Sequence, residues 1–239
     1  MLVLAGHAIY QDGVWHGGHP GEDRIYEEHV RDAFRIFAAE DYRALVLSGG
    51  RSRPHLAPAI TNSEAEGMRD YACDAGLLDA RATVLLEPFG RDSFENVFFS
   101  MLCYHRQFRA WPERMGVVSW KFKALRFYLI ACGLGLAGER FRFYGSGDAT
   151  GFEQFAIANV QYDAAIVRDG EIIDPLHRDP RAFAAKRLAR TPPEFAGNAA
   201  YLDLVKREYG AADLIDRVES IQPGPAWRDI AWPWSTAPY

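Results

Sequence analysis

Five short, almost wholly apolar runs, at residues 2–5, 44–47, 82–86, 115–118 and 141–144, restrict the fold of this chain more than any other feature. Each is bounded by Gly, Ser, Pro or charge. A strand that is apolar at consecutive positions has to be covered on both faces, which is the habit of parallel sheets. Between the runs lie segments of helical period. Residues 24–40 carry Ile25, Val30, Phe34 and Phe37 on one face, and residues 64–75 carry Met68, Tyr71 and Ala72. Residues 94–108 carry Val97, Phe98, Met101, Leu102 and His105, and residues 122–132 continue the series. Strands alternating with helices form βαβ units, and right-handed crossovers place helices on both faces of the sheet. The expectation is an α/β chain: a Rossmann-like three-layer sandwich with a mostly parallel sheet of about five strands.

After about residue 145 the alternation fades, and the pattern predicts helices over 152–168, 179–190 and 199–209. Residues 222–239 hold four prolines and three tryptophans. They read as an extended tail, with Trp227, Trp232 and Trp234 either anchoring it to the core or forming a partner surface. The division expected is a core over 1–150 and a mainly helical C-terminal extension over 151–239 packed on it.

Net charge is -5, which gives no overall basic field for nucleic acid or an anionic membrane. No apolar stretch reaches the length of a membrane span. The first residues lack a basic leader and a cleavage signal, so the expected location is the cytoplasm. Cys73, Cys103 and Cys132 are widely spaced without a CxxC pair, and are expected as buried thiols. His16 and His19 flank two glycines but supply two ligands at most, so no metal is expected. A small molecule is the expected partner, and the oligomeric state stays open between monomer and homodimer.

In open parallel sheets, ligands bind beyond the carboxyl ends of the strands. After the first run come Gly6 and His7, which could meet a ligand or cap a turn. After the second come Ser48, Gly49 and Gly50, whose backbone N–H groups could form an anion nest. Ser63 and Glu66 fit a capping box at the next helix start and leave Glu64 over. After the third run come Glu87, Arg91, Asp92, Ser93, Glu95 and Asn96. Asp92 and Glu95 again fit a capping box, while Arg91, Ser93 and Asn96 are donors at a helix start, where anions bind. After the fourth come Ser119, Lys121, Lys123 and Arg126, the densest basic cluster behind a strand and suited to phosphate or carboxylate.

The blocks SGG, SEAEGM, a strand ending in Glu, RDSFEN and VVSWKFKALRF occur in this order within residues 1–144, and the chain resembles the YdcF-like family, which includes SanA and ElyC. The resemblance implies a Rossmann-like core with its site at the strand ends, and S-adenosylmethionine as ligand. By position it points to Ser48, Gly49, Gly50, Ser63, Glu64, Glu87, Ser93, Glu95, Asn96, Ser119 and Arg126. Many members carry a histidine after the fourth strand; here lysines flank the position. No counterpart of the membrane anchor of SanA and ElyC is expected.

Three functions follow as expectations. The first is binding of S-adenosylmethionine or a related nucleoside or anionic metabolite, as ligand or as substrate, although the glycine-rich turn of ordinary methyltransferases is missing after the first strand. The second is a hydrolase or transferase of a phosphorylated metabolite, with Glu64 or Glu95 as general base and His7 as acid. The third is a non-catalytic sensor or scaffold.

Overall fold

The computed structural model describes residues 1–18, 21–136, 138–148, 150–165, 167–168, 171–172, 180–221 and 230–235. In chain order the main elements are β1 (Leu2–Ala5), β2 (Ile9–Gln11), β3 (Val14–His16), α1 (Asp23–Ala39), β4 (Leu45–Ser48), α2 (Glu64–Asp74), β5 (Val84–Glu87), α3 (Ser93–Phe108), β6 (Met115–Trp120), α4 (Ala124–Gly133) and β7 (Phe141–Ser146). They continue as α5 (Glu153–Ala164), β8 (Val167–Arg168), β9 (Glu171–Ile172), α6 (Pro180–Ala189), α7 (Asn198–Tyr209) and α8 (Ala212–Ser220). Five strands pair in parallel in the order β5-β4-β1-β6-β7. The chain therefore leaves β1 toward one edge, returns, and leaves toward the other. The carboxyl ends of β1 and β6 flank the point of reversal, where connecting loops diverge and open a crevice.

Strand pleating explains why the runs are apolar throughout. Leu2 and Leu4 point to the face covered by α1 and α2, where they pack with Val30, Ala33, Met68 and Ala72. Val3 and Ala5 point to the other face, against Val97, Met101 and Ile130 of α3 and α4, which α7 and α8 extend with Val205, Ile215 and Val218. The α/β three-layer architecture expected from the sequence is thus present, and the extension is mainly helical.

Several local expectations differ. A β2–β3 hairpin follows β1, turned by Asp12 and Gly13 with φ of 53° and 82°; Asp-Gly is a favoured pair for such a two-residue turn. The helix expected over 152–168 stops at Ala164, and Val167–Arg168 pairs antiparallel with Glu171–Ile172. Helix α8 was not anticipated; its buried side are Ile215 and Val218. Cys73 is exposed rather than buried, because it lies on the outer side of α2. Among the described residues no helix is long and apolar enough to cross a membrane.

The tail is anchored through two of its tryptophans; Trp227, His19 and most of 222–239 lie outside the described residues. Trp232 Nε1 donates to Gly133 O at 2.9 Å and Trp234 Nε1 to Leu134 O at 2.6 Å. These carbonyls end α4 and have no partner within the helix. The two indoles stack at 5.0 Å, and Trp111 packs on Trp234 at 4.9 Å. Trp234→Ala should cost about 3–5 kcal/mol, and Trp234→Phe, which keeps most of the ring but orphans the carbonyl, about 1–3 kcal/mol. Urea unfolding checks both, and an unchanged midpoint for Trp234→Ala would refute the anchor.

Candidate functional site

A cavity of about 350 Å³ opens at the β1/β6 reversal. Of the residues expected from the sequence, Gly6, His7, Glu64, Arg91, Ser93, Asn96, Lys123 and Arg126 line it. Ser48, Gly49, Gly50, Ser63, Glu87, Glu95, Ser119 and Lys121 do not, and most of them brace those that do.

Glu64 shows the bracing. It is the first residue of α2, whose capping box with Ser63 and Glu66 is complete. Its carboxylate is buried between the loops after β1 and β4, and Oε1 accepts from Ser52 Oγ at 2.6 Å. A Cβ on Gly6 or on Gly49 would come within 2.5 Å of Oε2. Gly49 also has φ of +154°, a conformation that costs other residues strain. These glycines therefore make room for a carboxylate, which explains them without an anion nest. Burial pushes the Glu64 carboxyl up, against the pull of Ser52 and Arg53.

His7 stands between β1 and β6. Its Nε2 lies 3.1 Å from Ser119 Oγ and its Nδ1 lies 3.2 Å from Lys123 Nζ. With Lys123 Nζ as the donor, which its hydrogens allow in either charge state, the Nδ1 accepts and Nε2–H points to Ser119. Burial, then the positive charge of Lys123, hold the imidazole neutral well below its ordinary value. Ser119 is fully buried and receives a proton rather than losing one to His7, so it is a positioning group.

Glu95 and Glu87 serve structure. Glu95, expected as a general base, is held by Arg91 through Nε and Nη2 at 2.9 and 2.6 Å and by Arg187 at 3.3 Å. Only half of the expected capping box forms at α3: Asp92 accepts from Glu95 N, while the Glu95 carboxylate turns to Arg91. Glu87 accepts from Ser48 Oγ at 2.6 Å and from Phe89 N and Gly90 N, so it folds the loop before α3. Lys121 faces out and pairs with Asp148.

Sequence reasoning missed more than half of the lining. Ser52 and Arg53 follow the SGG turn, and Arg53 Nη2 donates to His7 O. Glu22 and Tyr26 come from α1, with the Tyr26 hydroxyl donating to Glu22. Trp120 and Phe155 form aromatic wall, and Asn159 and Asp163 hold Arg126. Lys186 and Arg190 reach in from the end of α6, more than a hundred residues beyond His7 in sequence. A basic DPRAFAAKRLAR helix was the available signal, but nothing local tells which of its faces meets the core.

The cavity is rich in cations. Among the described residues, Arg53, Lys123 and Arg190 lie in no ion pair with a carboxylate, although each lines it. Burial, then Arg126, Lys186 and Arg190, drive Lys123 well below the ordinary lysine value. Burial, then Arg190, bring Lys186 to about 8. Among the described residues no three His, Cys, Asp or Glu side chains are grouped to hold a metal ion. Comparison with protein-family models, curated proteins and solved structures returns no match.

Burial, opposed by its hydrogen bonds, raises Glu87 from 4.5 to about 8. The folded protein then keeps a proton that the unfolded chain releases, so this group's stabilising contribution is full below about 4.5 and is lost as the pH rises through about 8. Relative to Glu87→Gln, the wild type should lose stability across that window. Urea midpoints measured against pH check it; parallel profiles would mean that Glu87 is ionised in the fold.

Proposed function

We propose that the cavity binds a phosphorylated small metabolite and that the protein turns it over, as a hydrolase or transferase, with Glu64 as general acid–base. The observation that carries this reading is the convergence of Arg53, Lys123, Lys186 and Arg190 on one half-enclosed space. Like charges gathered at low dielectric repel one another, and a bound dianion relieves that repulsion while accepting charge-assisted hydrogen bonds. Arginine forks match phosphate oxygens in pairs, and lysines follow as point charges. Trp120, Phe155 and Tyr26 offer apolar and ring surface to the rest of the ligand.

Glu64 is the carboxylate suited to proton transfer. Its raised value brings it nearer to neutral pH, where an acid–base group works best. Among the described residues its Oε2 has no hydrogen-bond partner, whereas the Asp92 carboxylate is bound to Arg187. His7 is held neutral beside the space and can pass a proton.

The resemblance to YdcF-like proteins favours S-adenosylmethionine instead, and the aromatic wall suits its adenine. Its sulfonium and ammonium are cations, however, and a surplus of lysine and arginine opposes both. One carboxylate does not offset them.

The two ligands separate in a thermal-shift and calorimetric series with inorganic phosphate, AMP, ribose 5-phosphate and S-adenosylmethionine. The phosphates should stabilise the protein, and Arg190→Ala should weaken them about 10- to 100-fold, the worth of one hydrogen bond to a charged group. Phosphate release from a panel of esters should fall about 10²–10⁴-fold in Glu64→Gln. Stabilisation by S-adenosylmethionine alone would overturn the phosphate reading in favour of the nucleoside.

A further inference from the structure

Lys123 is placed differently from the other cations of the cavity. It ends the short turn that follows β6, at the point of chain reversal. Its Nζ contacts an imidazole nitrogen, His7 Nδ1, at 3.2 Å, and it has no carboxylate partner among the described residues. A lysine meant only to hold charge is ordinarily paired with an acid or left in water. An amine set beside a neutral imidazole and ringed by other cations is arranged as a nucleophile.

We propose that Lys123 forms an imine with the carbonyl carbon of a phosphorylated aldehyde or ketone whose phosphate is held by Arg53, Lys186 and Arg190. This rests on the anion-binding reading and narrows it to a substrate class. The neutral amine attacks the carbonyl carbon and the C=O π bond breaks, its electron pair going to oxygen. The ammonium proton passes to His7 Nδ1, whose other nitrogen is fixed on Ser119 Oγ. The carbinolamine oxygen takes up the proton held by His7 and a second from the Glu64 carboxyl and leaves as water while the nitrogen lone pair forms C=N, and the resulting iminium returns its N–H proton to the Glu64 carboxylate. The sum is amine plus carbonyl giving imine plus water, with no change of oxidation state.

The surroundings supply the free amine that this step needs. Arg126, Lys186 and Arg190 disfavour the ammonium, burial disfavours it more, and Glu64 is the opposing charge. Each unit of decrease from about 10.4 raises the neutral fraction at pH 7 about tenfold.

Pyridoxal 5′-phosphate, itself a phosphorylated aldehyde, is the probe. The whole protein is incubated with it, reduced with borohydride and mapped by mass spectrometry. Mapping is unambiguous because the lysines are Lys121, Lys123, Lys186 and Lys206 only. Lys123 should be labelled at least about tenfold faster than exposed Lys121, and inorganic phosphate should slow that labelling alone. In Lys123→Arg the adduct at this position should vanish while the remaining lysines keep their rates; if that variant does not fold, the wild-type map decides. Preferential labelling of Lys186, or equal labelling of all four, overturns the proposal. So does the absence of a Lys123 adduct in protein that inorganic phosphate still stabilises. If inorganic phosphate neither stabilises the protein nor slows labelling, the anion-binding reading falls as well.

Discussion

Two buried guanidinium groups tie the helical extension to the sheet core. Arg91, at the start of α3, spans Glu95 on one side and Thr191 and Asn198 on the other. Arg187, from α6, reaches back to Asp92 at 2.8 Å and lies over the Phe94 ring. Burying such charges is costly, and the mutual attraction roughly repays the cost when every donor is used. The return is geometric. Arg187 Nε on Asp92, and Arg91 Nη1 on Thr191 and Asn198, give α6 and the segment after it directional contacts that apolar packing does not. Lys186 and Arg190 stand one residue before and three residues after Arg187, so wherever Arg187 is fixed they follow. The cavity therefore depends on a network of which Arg91 and Asp92 reach its wall while Glu95 and Arg187 stand behind it.

This arrangement separates two kinds of charge in a small volume. Glu95, Asp92, Arg91 and Arg187 neutralise one another and are inert. Lys123, Lys186, Arg190 and Arg53 repel one another, and burial, with that repulsion added, depresses the two lysines beside a carboxyl that burial has raised. Glu22, Glu64 and Asp92 line the same space but are outnumbered by its lysines and arginines. An excess of one charge is expected where a ligand completes the structure.

The sheet was the most legible part of the sequence. A buried parallel strand is announced by its own residues, and the five runs fall within about two residues of β1, β4, β5, β6 and β7. Helix starts were legible for the same reason: the Ser63 box needs four consecutive residues and nothing else. The β2–β3 hairpin was readable in Asp12-Gly13 between Ile-Tyr-Gln and Val-Trp-His, but its strands of three residues are too short to show a period. The site divided along the same line. His7 and Lys123 sit just behind strands and Glu64 at the start of the helix that follows β4, where the βα order brings them together. Arg53, Lys186 and Arg190 arrive by tertiary contact, and no spacing encodes that.

The glycines carry the sharper lesson. SGG after a strand suggests backbone donors for an anion, and by composition that reading is sound. Gly49 instead stands where a side chain would strike the Glu64 carboxylate, and Gly6 faces the same carboxylate from the neighbouring loop. Gly50 N is already spent on Gly90 O at 2.6 Å. Two strand ends have given up their side chains so that one acid can be buried between them, within a cavity where bases outnumber acids. What the glycines protect is the environment of a single carboxyl group, and with it the proton that group can carry.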